Sequence, residues 1–433
     1  MWNSFYKDFT RIVFSKHPML QKSQNIHTGQ KIKRVVIGMS GGVDSTVGAH
    51  MLKSKGFEVI GVFMKNWDIA DETGTCRADK EAEDAEYACQ QLNIPFQTVN
   101  FVKQYWNEVF EKLVNEYEQG WTPNPDVDCN RHIKFGTFYQ HCREYIGCDA
   151  IATGHYARSS FGDFLEDQDI SKNVKLLKAM DSVKDQTFFL SQIPQNALRS
   201  TMFPIGSLTK DVVKKIAKST KGLEKIAKKK ESMGICFVGK RRDGFQEFLK
   251  EYTETAIGPI IDIETYKTIG EHEGVHLWTI GQDARLAGQK GLPYFVCDKD
   301  KTTNTVYVCK GSNHPALYCE NFHTDEPYWI DHAPEELSNR SQDQTLNCQY
   351  RSQNQQPVSD VCISYGLSST GNWEFVNRKS LIVSLVEPER AITPGQYAVF
   401  YKGEECLGSA RINKVGPSLY TMNKDNCREK LKS

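Results

Sequence analysis

The apolar positions of this chain change their period along its length, and that change divides it. Val35-Val36-Ile37 is an unbroken apolar run, the pattern of a parallel strand covered on both faces. Val43, Val47 and Met51 follow at four-residue intervals and predict a helix that begins soon after that strand. Val59 to Met64 reads as a second strand, Asp79 to Leu92 as a helix, and Phe96 to Phe101 as a third strand. Tyr105, Val109, Leu113 and Val114 mark one side of a further amphipathic helix, and Ala150-Ile151-Ala152-Thr153-Gly154 is a fourth strand ending in glycine. Strands alternating with helices predict an α/β, doubly wound parallel sheet that takes its ligands at the carboxyl ends of its strands. Gly38 to Ser45, Met64 and Gly154 all fall at such ends. After about Gly244 the rhythm shortens. Val306-Tyr307-Val308, Leu381-Ile382-Val383 and Tyr397-Ala398-Val399-Phe400 alternate with turn signals such as Pro394-Gly395 and Lys402-Gly403. They predict a small, mostly-β central domain and then a C-terminal β-barrel. The division expected is an N-terminal arm over 1–33, the α/β domain over 34–242, the central domain over 243–318 and the barrel over 319–433. Ser338 to Ser359, polar and glutamine-rich, reads as an exposed loop or strand edge. The stretch between Tyr156 and Asp181 reads as a polar insertion.

Between the first strand and its helix stands Gly38-Met39-Ser40-Gly41-Gly42-Val43-Asp44-Ser45. The glycines permit a tight turn and a close backbone approach to a ligand. Strand, glycine turn and helix N-terminus together make an anion cradle, where unpaired N–H groups and the positive end of the helix dipole face a phosphate. The plain alternative is a turn that only connects strand to helix. The G-x-x-x-x-G-K-[ST] pattern is absent, which excludes an ordinary P-loop.

Composition narrows the picture. At 433 residues two or three domains are expected, and 39% apolar with 25% charged residues is the balance of a soluble globular chain. No apolar run is long enough to cross a bilayer. Net charge is zero, yet twelve Lys or Arg crowd between Thr209 and Arg242 against Asp211, Glu224 and Glu231. That run reads either as a solvated helix face opposite Val212, Val213, Ile216 and Ala217 or as a polyanion surface. The first 34 residues hold seven Lys or Arg against Asp8 alone, the composition of a mitochondrial transit peptide or, for a cytoplasmic chain, of a flexible arm. Thirteen cysteines include no C-x-x-C pair, so neither a bound zinc nor an iron–sulfur cluster is expected.

Three further stretches carry chemistry. In Thr122-Pro123-Asn124-Pro125-Asp126-Val127-Asp128-Cys129-Asn130-Arg131-His132-Ile133-Lys134-Phe135, two prolines stiffen a loop that sets Asp126, an acid/base candidate, three residues before a thiol. In Glu231-Ser232-Met233-Gly234-Ile235-Cys236-Phe237-Val238-Gly239, a cysteine stands beside the basic run, whose cations favour its thiolate. Lys184-Asp185-Gln186-Thr187-Phe188-Phe189-Leu190 precedes what reads as an apolar helix start. Spacing alone does not pair Cys129 with Cys236, since more than a hundred residues separate them.

Together with Ser40-Gly41-Gly42-Val43-Asp44-Ser45, Phe63-Met64-Lys65-Asn66-Trp67-Asp68 and Ala152-Thr153-Gly154-His155-Tyr156, these stretches resemble the tRNA-specific 2-thiouridylase family of the ATP-pyrophosphatase superfamily. The resemblance runs from about Arg34 to Ser418. It implies that ATP adenylates the C2 oxygen of wobble uridine 34 and that a persulfide sulfur then replaces it, giving 2-thiouridine, AMP and pyrophosphate. By the same resemblance Gly38, Met39, Ser40, Gly41, Gly42, Val43, Asp44 and Ser45 hold ATP, with Met64 and Gly154 at its nucleoside. Asn124, Pro125 and Asp126 meet the target base, Asp126 as acid/base. Cys236 receives sulfur from a persulfide-donating carrier or cysteine desulfurase, and Cys129 closes a transient disulfide with it. His155, Lys184, Asp185, Gln186, Gln349, Tyr350, Arg351 and Gln396 match tRNA-contacting positions. Magnesium is expected with ATP, with Asp44 the one candidate ligand. The chain departs from the family pattern at Gly281-Gln282-Asp283, where a Gly-Gln-Arg is common, and at Gln349-Tyr350-Arg351. Two other classes compete. Another ATP-pyrophosphatase enzyme, such as an amidotransferase-type synthetase or a different tRNA thiolase, would not require both cysteines. A non-catalytic RNA-binding protein would have lost Asp44, Asp126 or a cysteine, and all are present.

Overall fold

The computed structural model describes residues 32–68, 77–169, 171–229, 244–286, 291–338, 344–366 and 379–423. The N-terminal arm through residue 31 and the stretch carrying Cys236 lie outside the described residues.

Val35, Val36 and Ile37 are fully enclosed, each contributing about 1.5–3 kcal/mol of apolar transfer. The reason is position: β1 (Arg34–Gly38) is the middle strand of a five-stranded sheet. The chain runs outward from β1 through β2 (Glu58–Lys65) to β3 (Phe96–Asn100), then returns to β4 (Ala150–Ala152) on the opposite side of β1. A short hairpin, β5 (Arg158–Ser159) and β6 (Leu176–Leu177), leaves the sheet before β7 (Thr201–Met202) completes it. All neighbouring strands of the sheet are parallel. The strand order therefore reverses between β1 and β4, the place where doubly wound sheets bind ligands at the carboxyl ends of their strands. Helices α1 (Val43–Ser54) and α2 (Arg77–Leu92) follow β1 and β2. Helix α3 runs through consecutive segments Val102–Tyr105, Trp106–Phe110 and Glu111–Glu118, burying Tyr105, Val109 and Leu113 as their spacing predicts. Helix α4 comprises Pro125–Asp128, Cys129–Phe138, Tyr139–His141 and Cys142–Ile146. Its second and fourth segments are wide π-type turns, a geometry found most often at functional sites. Helix α5 (Lys210–Ser219) exposes Lys215 and Lys218 of the basic run and buries Lys210, Val213 and Ala217.

The central domain is a four-stranded sheet of β8 (Gly258–Asp262), β9 (Thr268–His272), β10 (Tyr294–Asp300) and β11 (Thr305–Lys310), closed over Ile260, Val296, Val306 and Val308. The C-terminal domain is built from β12 (Tyr318–Thr324), β13 (Tyr328–Trp329), β14 (Thr345–Arg351), β15 (Ser359–Tyr365), β16 (Leu381–Arg390), β17 (Tyr397–Lys402) and β18 (Glu405–Val415). Six of these close into an antiparallel barrel, since β12 pairs with both β16 and β18. Closure removes the exposed strand edges that an open sheet would present. Among the described residues no helix is long and apolar enough to cross a membrane.

Three stretches differ from the sequence reading. The polar segment Ser338–Ser359 contains β14, a barrel strand: Leu346, Cys348 and Tyr350 point inward between polar Thr345, Asn347 and Gln349. The insertion after Tyr156 supplies β5 and β6, and Leu177 and Leu176 of β6 pair with Glu405 and Cys406 of β18. It splices the catalytic-domain chain onto the barrel. The helix expected to start after Leu190 is instead a series of turns, followed by the single-turn helix Gln195–Leu198.

Candidate active site

The loop after β1 is held by its own hydroxyls. Ser45 Oγ lies 3.2 Å from both the Ser40 amide and the Ser40 hydroxyl, and the Thr46 hydroxyl donates to the Gly42 carbonyl at 2.8 Å. Gly41 adopts a φ of +68°, and a Cβ there would stand 2.5 Å from the Glu81 carbonyl oxygen. Glycine is therefore required on two counts. The loop opposite, after β4, approaches equally closely: a Cβ at Gly154 would fall 2.6 Å from the Ser45 amide nitrogen. Asp44, in the first turn of α1, does not stand open for a metal. Lys210 Nζ donates to both of its carboxylate oxygens at 2.7 Å, and the Tyr156 hydroxyl donates to Oδ1 at 2.9 Å. Lys210 itself is buried. Two more cations of the basic run serve the same neighbourhood. Lys225 and Lys229 pair with buried Asp84 at 3.1 and 2.7 Å, and Lys229 also donates to the Gly41 carbonyl at 3.1 Å. Although burial pushes the Asp84 carboxyl up, the two ammoniums hold it below its ordinary value. Part of the run is thus structural, while Lys215, Lys218, Lys221 and Lys228 remain exposed.

Helix α4 lies against the same strand ends. Pro125 sits at its first turn, where a fixed φ suits helix initiation. Asp126, Asn130 and Lys134 recur every fourth residue and share one face. Lys134 Nζ donates to His155 Nε2 at 3.3 Å, and His155 Nδ1 donates to the Thr153 hydroxyl at 2.8 Å. Burial, reinforced by Lys134, holds His155 far below its usual pKa, so the ring is neutral with Nε2 as acceptor. The chain Asp126, Lys134, His155, Gly154, Ser45 therefore leads from α4 to the glycine loop. Burial pushes the Asp126 carboxyl above the normal range, and the Lys134 cation opposes that rise. A carboxyl raised in this way holds a proton more readily than a free one does. Phe138, further along α4, closes on Gly38, and Met64 at the end of β2 does the same from the other side.

Family models match the chain in three consecutive segments: the tRNA methyl transferase HUP domain over 33–240, the tRNA methyl transferase PRC-barrel domain over 246–310 and the aminomethyltransferase beta-barrel domain over 319–412. The protein named mitochondrial tRNA-specific 2-thiouridylase 1 of Drosophila melanogaster is 47% identical over 386 residues, covering 89% of this chain and 95% of that relative. Its namesake in Gallus gallus is 46% identical, covering 92% and 95%, and that of Homo sapiens is 45% identical, covering 92% and 94%. The chain belongs to the tRNA-specific 2-thiouridylase family. The remaining family positions fall as follows.

In this 2-thiouridylase-family site Cys129 is buried at the junction of the first two segments of α4. No disulfide joins any of the described cysteines, and Cys236 lies outside the described residues. Several other buried thiols are unsuited to reaction: burial pushes Cys89, Cys319 and Cys348 up to about 12 and Cys148 to about 11. The barrel reaches the site through Gln396. Its Nε2 donates to the Thr122 and Pro123 carbonyls at 2.7 and 3.3 Å, and its Oε1 accepts from Asn124 at 3.3 Å. Gln396 thus holds the proline loop that precedes Asp126.

The positions matched to tRNA contact divide by exposure. His155, Lys184, Gln186, Gln349 and Gln396 are half-buried. Gln186 brackets Tyr156, accepting from its amide and donating to its carbonyl, both at 2.9 Å. Asp185, Tyr350 and Arg351 are enclosed. Arg351 of β14 pairs with Asp185 of the α/β domain and donates to the Tyr401 hydroxyl at 3.0 Å, while the Tyr350 hydroxyl donates to Glu389. Their side chains meet protein rather than an RNA surface, and the Arg351–Asp185 pair ties barrel to catalytic domain. Asp283 is exposed and accepts from the Arg285 amide at 2.9 Å. Lys134, Asn130, Thr153 and Lys210 complete the site without having been singled out from the sequence. Lys134 and Asn130 lay inside a quoted motif, and Lys210 was visible only as one cation in a dense run.

Among the described residues no group of three or more His, Cys, Asp or Glu side chains is placed to hold a metal ion. Asp44, the candidate magnesium ligand, is paired with Lys210.

Proposed function

We propose that this chain is a mitochondrial tRNA 2-thiouridylase that uses ATP to replace the C2 oxygen of wobble uridine 34 with sulfur. The observation that supports it most is the meeting of the glycine loop after β1 with the face of α4 that carries Asp126, in a chain of this family whose relatives bear that name. ATP phosphates would lie along Gly38–Ser45 at the N-terminus of α1, with the nucleoside toward Met64 and Gly154. The wobble base, turned out of its loop, would enter beside Asn124, Pro125 and Asp126. The uridine O2 attacks the α-phosphorus of ATP, Asp126 takes the N3 proton, and pyrophosphate leaves. The terminal sulfur of a Cys236 persulfide then attacks C2 and expels AMP. Cys129 thiolate attacks the Cys236 sulfur, forming the Cys129–Cys236 disulfide and releasing the C2–S bond to the base, while Asp126 returns the proton to N3. A disulfide so formed must be reduced before the next turnover, and the persulfide comes from a sulfur-carrier protein or a cysteine desulfurase. Magnesium would arrive on the ATP phosphates, a common mode for this ion. Half-buried His155, Lys184, Gln186 and Gln349, with the exposed lysines of α5, would meet the tRNA.

The test incubates purified protein with an unmodified tRNA transcript, ATP, magnesium and a persulfide donor. AMP and 2-thiouridine are then measured for wild type, Cys129→Ser and Cys236→Ser. Wild type should form both products in equal amounts, and each variant should lose at least a hundredfold of persulfide-dependent thiolation; Cys129→Ser should still expel AMP in its first turnover, whereas Cys236→Ser should release pyrophosphate without AMP, because no persulfide remains to displace it. AMP without thiouridine from wild type would keep the ATP site and refute the sulfur assignment.

A further inference from the structure

Asn130 is 4% exposed, and its amide is only half used. Nδ2 donates to the Asp126 carbonyl at 2.8 Å, which tethers the side chain over the turn that carries the acid/base. Oδ1 has no hydrogen-bond partner among the described residues. A buried acceptor left unmet costs about 1–3 kcal/mol and calls for an explanation. Its place suggests one. Asn130 lies one helical turn after Asp126 and one before Lys134, the residue whose ammonium reaches His155.

Resting on the function proposed above, we infer that Asn130 Oδ1 accepts the ribose 2′-hydroxyl of the target uridine. The C2 oxygen of a uridine is flanked by two hydrogen-bond donors, the N3 imide and the 2′-hydroxyl of its own ribose. The same face of α4 presents two acceptors one turn apart, the Asp126 carboxylate and Asn130 Oδ1. Removing the N3 proton requires a base, which assigns N3 to Asp126. The neutral carboxamide, which cannot take a proton, is left with the 2′-hydroxyl. Both contacts together set O2 toward the α-phosphate. Asn130 thereby becomes a specificity residue that reads RNA at the reacting nucleotide itself.

The experiment uses three tRNA transcripts that differ only at residue 34, carrying uridine, 2′-deoxyuridine or 2′-fluoro-2′-deoxyuridine. The fluorine keeps the ribose pucker and an electronegative group but cannot donate. Wild type should show kcat/KM for AMP formation reduced about 10- to 100-fold for both analogues, as expected for one buried acceptor left unpaired. Asn130→Ala should lose about as much on the uridine transcript and show no further loss on the analogues, while ATP affinity is unchanged. Wild type that handles all three alike would overturn the inference without the variant, leaving Oδ1 to water or to another part of the chain. Retention of the full discrimination by folded Asn130→Ala would overturn it as well. Absence of any AMP or thiouridine from wild type on the natural transcript would instead refute the proposed function.

Discussion

Two influences oppose each other at the Asp126 carboxyl. Burial raises its pKa and the Lys134 ammonium lowers it, with burial ahead. A general base works only when ionised, so a raised pKa moves the acid limb of the rate profile upward: activity falls as pH drops through that raised value. Removing Lys134 takes away the opposing cation and must raise the pKa further. Lys134→Gln is therefore expected to shift the acid limb of kcat for AMP formation to higher pH than wild type. A limb that stays in place, or moves down, would remove Asp126 from the role of base. Residues of the proposed site were legible where they lie in one short motif: Asp126, Cys129 and the glycine loop could be named from the sequence. Asn130 could not, because a half-satisfied amide becomes visible only when burial and partners are known.

At the scale of elements the site depends on a contact between α4 and the barrel. Gln396 donates to two carbonyls of the Thr122–Asn124 loop, and each such bond contributes about 0.5–1.5 kcal/mol. Gln396→Ala is predicted to lower kcat/KM for tRNA about tenfold and to leave the dissociation constant for ATP unchanged, measured by steady-state kinetics and calorimetry. Equal weakening of both would mean that Gln396 supports the whole domain rather than the loop. The parallel sheet was legible because its buried strands read as continuous apolar runs. Barrel strand β14 was not, since its inward Leu346, Cys348 and Tyr350 alternate with residues that gave the segment a polar average. The basic run was legible as charge but not in its contacts, since three of its lysines pair with Asp44 and Asp84 while others stay exposed.

At the scale of the molecule, catalytic domain and barrel form one structure. The β5–β6 hairpin extends the barrel's sheet, and the enclosed Arg351–Asp185 pair crosses between them. Breaking one partner of a buried pair leaves an uncompensated charge, at a cost of about 3–5 kcal/mol. This coupling was not legible from sequence, since two residues of β6 meet a strand more than two hundred positions later, and no local pattern records such a pairing. In the proposed reaction ATP and the base meet at the carboxyl ends of β1 and β4, and the base's own oxygen attacks ATP. The most direct measurement uses tRNA carrying oxygen-18 at C2 of uridine 34, with AMP and pyrophosphate analysed by mass spectrometry after a single turnover. The account predicts one labelled oxygen in AMP for each 2-thiouridine formed, and none in pyrophosphate. Unlabelled AMP alongside 2-thiouridine would contradict it.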